Sequence, residues 1–351
     1  MIIRSRAPLR IGLAGGGTDI EAYSSIYGGA VVNATISMYA YCTIVPRSDG
    51  KIIIDAIDNN RRLETDATPV LDIDGDNLIL HRGVYNRIVK DYNGGKPLSF
   101  YMSTSNDAPV GSGLGTSSAM VVALIEAFNR LLNLNLKKEE KAYLAYDIER
   151  NDLKLAGGKQ DQYASVYGGF NYMTFARDGN VSVEKIDISE YKINELESSL
   201  LLFYGGKSRS SAKVQLELAK NVINNQIKGA KNREEKTSNA LSGIKELAEN
   251  MNSNLKKGSL SGFAEDLRAG WELKKKTSSS VTNGEIESII KFVSAHGAEA
   301  VKISGAGGGG FLLMYFNPVN RQRLIENMGL LDGKVYHVSF TDKGAESWVE
   351  E

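Results

Sequence analysis

Cysteine is almost absent from this chain. Cys42 stands alone among 351 residues, which excludes an intrachain disulfide framework and any cysteine-cluster metal site. Histidine is nearly as scarce: His81, His296 and His337 are scattered, none at metal-ligand spacing from another, and they read as surface or packing residues rather than catalysts. Net charge is missing too, because 42 basic residues balance 42 acidic ones. No global field therefore draws nucleic acid or anionic lipid, and any recognition of phosphate has to be local. No apolar run reaches the length of a membrane span, and the start Met1-Ile2-Ile3-Arg4-Ser5-Arg6 lacks the continuous apolar stretch of a leader. The expectation is a cytoplasmic, reducing setting, with no nucleic acid and no membrane as partner. The oligomeric state stays open, a homodimer included.

What remains is ordinary for a globular protein, with 42% hydrophobic and 24% charged residues over a length that suits two domains. Ile2 to Ser5 and Arg10 to Ala14 are expected as short strands separated by Pro8, followed by Gly15-Gly16-Gly17 and a helix that Asp19 caps. The β-branched and aromatic run from Ala30 to Ala56, with a turn at Ser48-Asp49-Gly50, predicts an antiparallel meander. Helices are expected over residues 78–92, 117–132 and 137–151, and a strand over 98–104. Past the polar stretch 187–197 come a strand at 200–204, long polar helices over 210–276, and alternating strands and helices to residue 340. The pattern is α+β, divided into residues 1–190 and 191–351.

Glycine, at 36 residues, is plentiful and clustered. Pro109-Val110-Gly111-Ser112-Gly113-Leu114-Gly115-Thr116-Ser117-Ser118 joins an expected strand to an apolar helix. Three glycines free the backbone for positive φ and close approach, and hydroxyls open a helix whose N-terminus carries roughly half a positive charge. A capped connection needs less than this, so the loop reads as an anion cradle. A second cluster, Gly305 to Gly310, formally fits G-x-G-x-x-G, but the segment after it is a strand, which argues for a hairpin tip rather than a dinucleotide fingerprint. Such a side-chain-free tip lets another part of the protein, or a ligand, come close. Gly206-Lys207-Ser208 ends like a Walker A motif, but Leu201 stands where its first glycine belongs. Asp161, behind Gly157-Gly158, either complements a helix dipole or pairs with Glu149 as the acids of an ATP site, and spacing leaves both readings open. The charged runs 228–236 and Lys274-Lys275-Lys276 read as solvated helix faces.

Taken in order, Arg6-Ala7-Pro8-Leu9-Arg10 with Gly15 to Asp19, then Pro109 to Ser118, then Lys302-Ile303-Ser304-Gly305-Ala306-Gly307-Gly308-Gly309 resemble the three motifs of the GHMP kinases over nearly the whole chain. The resemblance implies an N-terminal domain like the second domain of ribosomal protein S5, a ferredoxin-like C-terminal domain, and an active site between them. It implies ATP and Mg2+ as cofactors, with the loop from Pro109 through Gly111, Ser112, Gly113, Leu114, Gly115, Thr116, Ser117 and Ser118 around the phosphates. It further implies Ser117 and Glu149 as metal ligands, and Asp161 with Arg10 as the catalytic pair.

Residues Ala7 to Asp19, Ile148-Glu149-Arg150 and Gly158-Lys159-Gln160-Asp161-Gln162 are most similar to members that phosphorylate the anomeric hydroxyl of a sugar phosphate. Gly16, Gly17, Thr18 and Asp19 are expected to choose the sugar, the two glycines making room where galactokinases carry larger residues. Gly307 and Gly308 are also expected at the substrate, and Lys207 and Arg209 at its phosphate.

Overall fold

The apolar alternation from Ile2 onward forms one continuous strand, β1 (Ile2–Ala14), rather than the two expected on either side of Pro8. Its register shifts between Pro8 and Leu9, so an irregularity accommodates the residue that lacks an N–H donor. The computed structural model describes residues 1–73, 78–206, 211–228 and 233–350. After β1 come α1 (Glu21–Tyr27), β2 (Gly29–Pro46), β3 (Lys51–Ala56), β4 (Arg61–Asp66), α2 (Ile79–Tyr92), β5 (Phe100–Asn106), α3 (Thr116–Leu131), α4 (Lys138–Asp147), α5 (Gln160–Tyr167), β6 (Phe170–Phe175), β7 (Val181–Lys185) and α6 (Glu190–Ser199). The second half holds β8 (Leu200–Tyr204), α7 (Ser211–Lys228), α8 (Arg233–Lys257), α9 (Leu260–Lys275), α10 (Gly284–Ala295), β9 (Ala298–Ile303), β10 (Phe311–Phe316), α11 (Arg321–Met328), β11 (Lys334–His337) and β12 (Glu346–Glu350).

The first sheet has the order β12-β1-β2-β5-β3-β4, with β6 also on β2 and β7 on β6. At 18 residues β2 is long enough to hold two further partners, residues 29–34 pairing with β6 and 40–46 with β5. The meander expected over residues 30–56 is corrected here: β5 inserts between β2 and β3, and β3 runs parallel to it. Alternation announces a strand but not its neighbour. Helix α3 is apolar on nearly all sides and lies against β1 and β2, where Ser5 Oγ donates to Ala123 O at 2.6 Å. That burial fixes the helix N-terminus in place at the cleft.

The second sheet, β11-β8-β10-β9, is antiparallel throughout. Numbered by appearance it reads 4-1-3-2, the ferredoxin-like order the resemblance implies. Every residue of β10 is buried, so both faces of this sheet are covered. Leu201, Phe203, Val293 and Leu324 pack on one face with α10 and α11. On the other, Leu200, Leu202, Phe311 and Leu313 join Phe263 and Leu267 of α9 in the same apolar cluster as Leu9 and Ile11 of β1. Burying each such side chain contributes about 1.5–3 kcal/mol, so a continuous core binds the halves together. The last strand, β12, returns to the first sheet, with Ile2 opposite Glu350 and Arg6 opposite Glu346. Apart from β12, the strands of the first sheet precede α6 and those of the second follow it. No helix among the described residues is long and apolar enough to cross a membrane.

Candidate active site

The loop between β5 and α3 alternates in burial. Ser112, Leu114, Thr116 and Ser118 are buried and Gly111, Gly113, Gly115 and Ser117 are half-buried, and all but Ser112 and Leu114 line the cleft. All three glycines have positive φ, at 78°, 85° and 76°. Ser112 Oγ and Thr116 Oγ1, 3.1 Å apart, hold the loop from behind, and Leu114 O accepts from Arg10 N at 2.9 Å. Gly115 caps α3 without a side-chain hydrogen bond, so the amides of the first turn keep their capacity for an anion. The side chains of Ser112 and Leu114, expected at the nucleotide, are buried and do not line the cleft.

The 304–310 hairpin interleaves with this loop. Phe311 N donates to Ser112 O at 2.9 Å and Ser304 Oγ to Gly113 O at 3.0 Å. A Cβ on Gly113 would lie 2.3 Å from Ser304 O, and one on Gly305 would lie 2.6 Å from Gly113 Cα. The close approach expected of the glycine tip is therefore to the loop between β5 and α3. Gly307 and Gly308, expected at the substrate, line neither the loop's cleft nor the cavity of Asp19: Gly308 N donates to Val281 O at 2.7 Å, and a Cβ on Gly307 would lie 2.9 Å from the same oxygen. Gly305 and Ala306 line the cleft in their place.

Asp161 stands in the first turn of α5 with Arg10 Nε donating to its Oδ1 at 2.7 Å. Arg10 Nη1 donates to Gly113 O at 2.6 Å, so one guanidinium joins the carboxylate to the loop. Glu149 belongs to a π-helical turn, Ile148–Asp152, whose extra residue aims it into the interior at 2% exposure. Burial raises its pKa, although Gln162 and Ser118 stabilise the charged form. Ser118 Oγ donates to both carboxylate oxygens, at 3.1 and 2.9 Å. The serine in contact with Glu149 is thus Ser118, while Ser117 lines the same cleft. Both hydroxyls and the carboxylate are hard oxygen donors, a set too small to cage a metal and suited to Mg2+, which keeps waters and takes phosphate oxygens.

Arg87 staples the ends of that turn, reaching Asp147 at 2.7 Å and Asp152 at 2.7 and 2.9 Å. Arg87→Met removes the cation shared by two carboxylates, of which Asp147 keeps the Asn151 amide, and is expected to lower unfolding stability by about 1 kcal/mol in urea denaturation. Beyond the turn, Arg150 gathers the carbonyls of Leu155, Ala156 and Gly158 at 3.2–3.3 Å.

On the far side of Asp161, Asp19 caps no helix, contrary to expectation. Its carboxylate accepts from Gly17 N at 3.1 Å, Gln160 N at 3.2 Å and Gln160 Nε2 at 3.3 Å. Burial, then the nearby Asp161 charge, raises its pKa. A Cβ on Gly158 would lie 1.9 Å from Asp19 Oδ2, which explains the glycine. Thr18 is fully buried, with Oγ1 2.8 Å from Gly15 O and 2.9 Å from Ala30 O; it builds the turn and does not reach the cleft. Lys274 of α9, dismissed in the sequence as a solvated charge, lines this side, with Nζ donating to Gly305 O. Lys207 and Arg209 lie outside the described residues.

Three cavities meet end to end. One beside Asp58, His81, Thr104 and Asn106 shares Thr116, Ser117 and Leu155 with the cleft of the glycine loop. That cleft shares Arg10, Arg150, Asp161 and Gly305 with the cavity of Gly16, Gly17 and Asp19. No local motif announced the first cavity: His81, buried with Nε2 2.8 Å from Thr104 Oγ1, packs as expected but also forms its wall.

Residues 77–169 match the GHMP kinases N terminal domain and residues 251–330 the GHMP kinases C terminal domain. The chain is 42% identical, over 99% of its length and 98% of the relative's, to a D-glycero-alpha-D-manno-heptose 7-phosphate kinase of Campylobacter jejuni. A crystal structure described as a D-glycero-D-manno-heptose 1-phosphate kinase from Bacteroides thetaiotaomicron superposes with a TM-score of 0.84 at 39% identity, over 99% of both chains. An L-fucokinase/L-fucose-1-P guanylyltransferase of Bacteroides fragilis is 26% identical over 98% of this chain and 38% of its own. The chain belongs to the GHMP kinase family, and its two interleaved glycine loops are where sequence and structure describe that membership alike.

Proposed function

We propose that this kinase uses ATP and Mg2+ to phosphorylate the anomeric O1 of D-glycero-D-manno-heptose 7-phosphate, giving the 1,7-bisphosphate for nucleotide-activated heptose. The observation that carries the reading is a row of three cavities, the middle one sharing Thr116, Ser117 and Leu155 with the His81 cavity and Asp161 with the cavity of Asp19. The cavity beside His81 takes the adenine, the loop amides and the α3 N-terminus take the phosphates, and the cavity of Asp19 takes the sugar. Glu149 with Ser117 and Ser118 would hold Mg2+, which supplies charge neutralisation at the phosphates. Asp161 accepts the hydroxyl proton, and Arg10 fixes its Oδ1 and balances charge on the transferred group. Asp19, already oriented by three N–H donors, accepts from sugar hydroxyls.

The test is ADP release with 31P NMR of the product, using heptose 7-phosphate, heptose 1-phosphate, L-fucose and D-galactose as acceptors. The expected product carries a new anomeric phosphate and forms fastest from heptose 7-phosphate. Faster turnover of an unphosphorylated sugar overturns the assignment, and turnover of heptose 1-phosphate overturns O1 as the site. Because Asp19 must be ionised to accept two hydroxyls and its pKa is raised, acceptor KM should rise as pH falls, starting above the range of a free aspartate. Asp19→Asn should bind weakly and lose that dependence, which KM profiles for both proteins would check.

A further inference from the structure

Three cations line the acceptor cavity: Arg10, Arg150 and Lys274. Arg10 is taken by Asp161 and Gly113 O, and Arg150 by three backbone carbonyls. Lys274, with three N–H donors, makes one hydrogen bond among the described residues, to Gly305 O. An added Cβ at Gly16 would lie 4.0 Å from its Nζ and 3.8 Å from Gln160 Nε2, so the absent side chain leaves the ammonium facing the cavity. Lys274 lines the acceptor cavity and not the phosphate cleft of the nucleotide. A neutral hydroxyl would satisfy its hydrogen bonds but leave its charge desolvated, whereas an anion answers both.

Resting on the acceptor read above, we propose that Lys274 grips the phosphate which the sugar already carries, and so sets the preference for a phosphorylated acceptor. The surrounding charges are mixed. Arg10 and Arg150 are cationic, burial and then Lys274 and Arg10 push the Lys302 pKa well below that of an ordinary lysine, Asp19 and Asp161 are carboxylates, and Glu217 of α7 is engaged with Ser279 and Ser280. Burial, then Arg10, brings the Lys274 pKa down to about 8 despite those two carboxylates. A bound phosphate favours the charged form, so binding above that pH draws in a proton.

The experiment pairs kinetics with calorimetry. The preference of kcat/KM for heptose 7-phosphate over unphosphorylated heptose should collapse at least tenfold, roughly one charge-assisted hydrogen bond, in K274M and again in K274Q. ATP affinity equal to the parent's confirms that both variants are folded. Titration of the parent with heptose 7-phosphate at about pH 8.5, in buffers of different ionisation enthalpy, should show net proton uptake, since the phosphate itself is then fully ionised. Both variants should lose that uptake. A parent that prefers heptose 7-phosphate, with variants that keep the preference, overturns the role of Lys274 alone. A parent without preference overturns the acceptor assignment and this role with it. Binding by the parent without proton uptake also counts against Lys274.

Discussion

Asp161→Asn should turn over about 10³-fold more slowly than the parent while binding ATP with unchanged affinity. The amide has the shape of the carboxylate and retains an oxygen for Arg10 Nε, so the link from Arg10 to Gly113 O and the loop stays in place. What it lacks is basicity. Arg10 loses its counter-charge, but at 4% exposure it still has the Gly113 carbonyl and the developing phosphoryl charge to face. Steady-state kcat and an ATP titration separate the two effects. Turnover near the parent's would remove Asp161 from the role of base, and a parallel loss of ATP affinity would make it a structural residue of the loop.

Gly113→Ala should raise the KM for ATP by one to two orders of magnitude and lower the Tm. Two costs fall on this substitution. A non-glycine residue at φ 85° costs roughly 1–2 kcal/mol in the backbone alone. The added methyl would also lie 2.3 Å from Ser304 O, a backbone atom that cannot turn aside, so the hairpin has to move off the loop. Gly50→Ala isolates the first cost, because Gly50 has φ 70° and nothing within 4 Å of an added Cβ. That control should lose stability only, with unchanged KM. If the two variants behave alike, contact between the loops has no bearing on nucleotide binding.

The glycine motifs were legible because they encode backbone shape. Positive φ at Gly111, Gly113 and Gly115 follows from residue type, and so does the freedom of Gly305 to approach another chain segment. What that freedom was used for was not legible: Gly307 and Gly308 look like Gly305 in sequence but pack against Val281. Which of the adjacent hydroxyls touches Glu149 was not legible for a related reason, since it depends on the rotation of α3 and on the π-helical turn, and neither leaves a local pattern. Lys274 was missed because a run of three lysines at a helix end resembles a solvated face, and only packing of α9 beside the cleft turns one of them inward. Strand identity in β2 and β3 followed from composition. Their separation by β5 is a matter of long-range pairing that composition does not carry.

The clasp between Phe311 N and Ser112 O joins positions far apart in sequence through one amide. Its exchange with solvent deuterium requires the hairpin to lift from the glycine loop between β5 and α3. A nucleotide seated on that loop favours the closed form by mass action, so the Phe311 amide becomes a clock for occupancy although it belongs to the other half of the chain. The protection conferred at Phe311 then grows with nucleotide concentration as a direct measure of how firmly substrate holds the two halves shut.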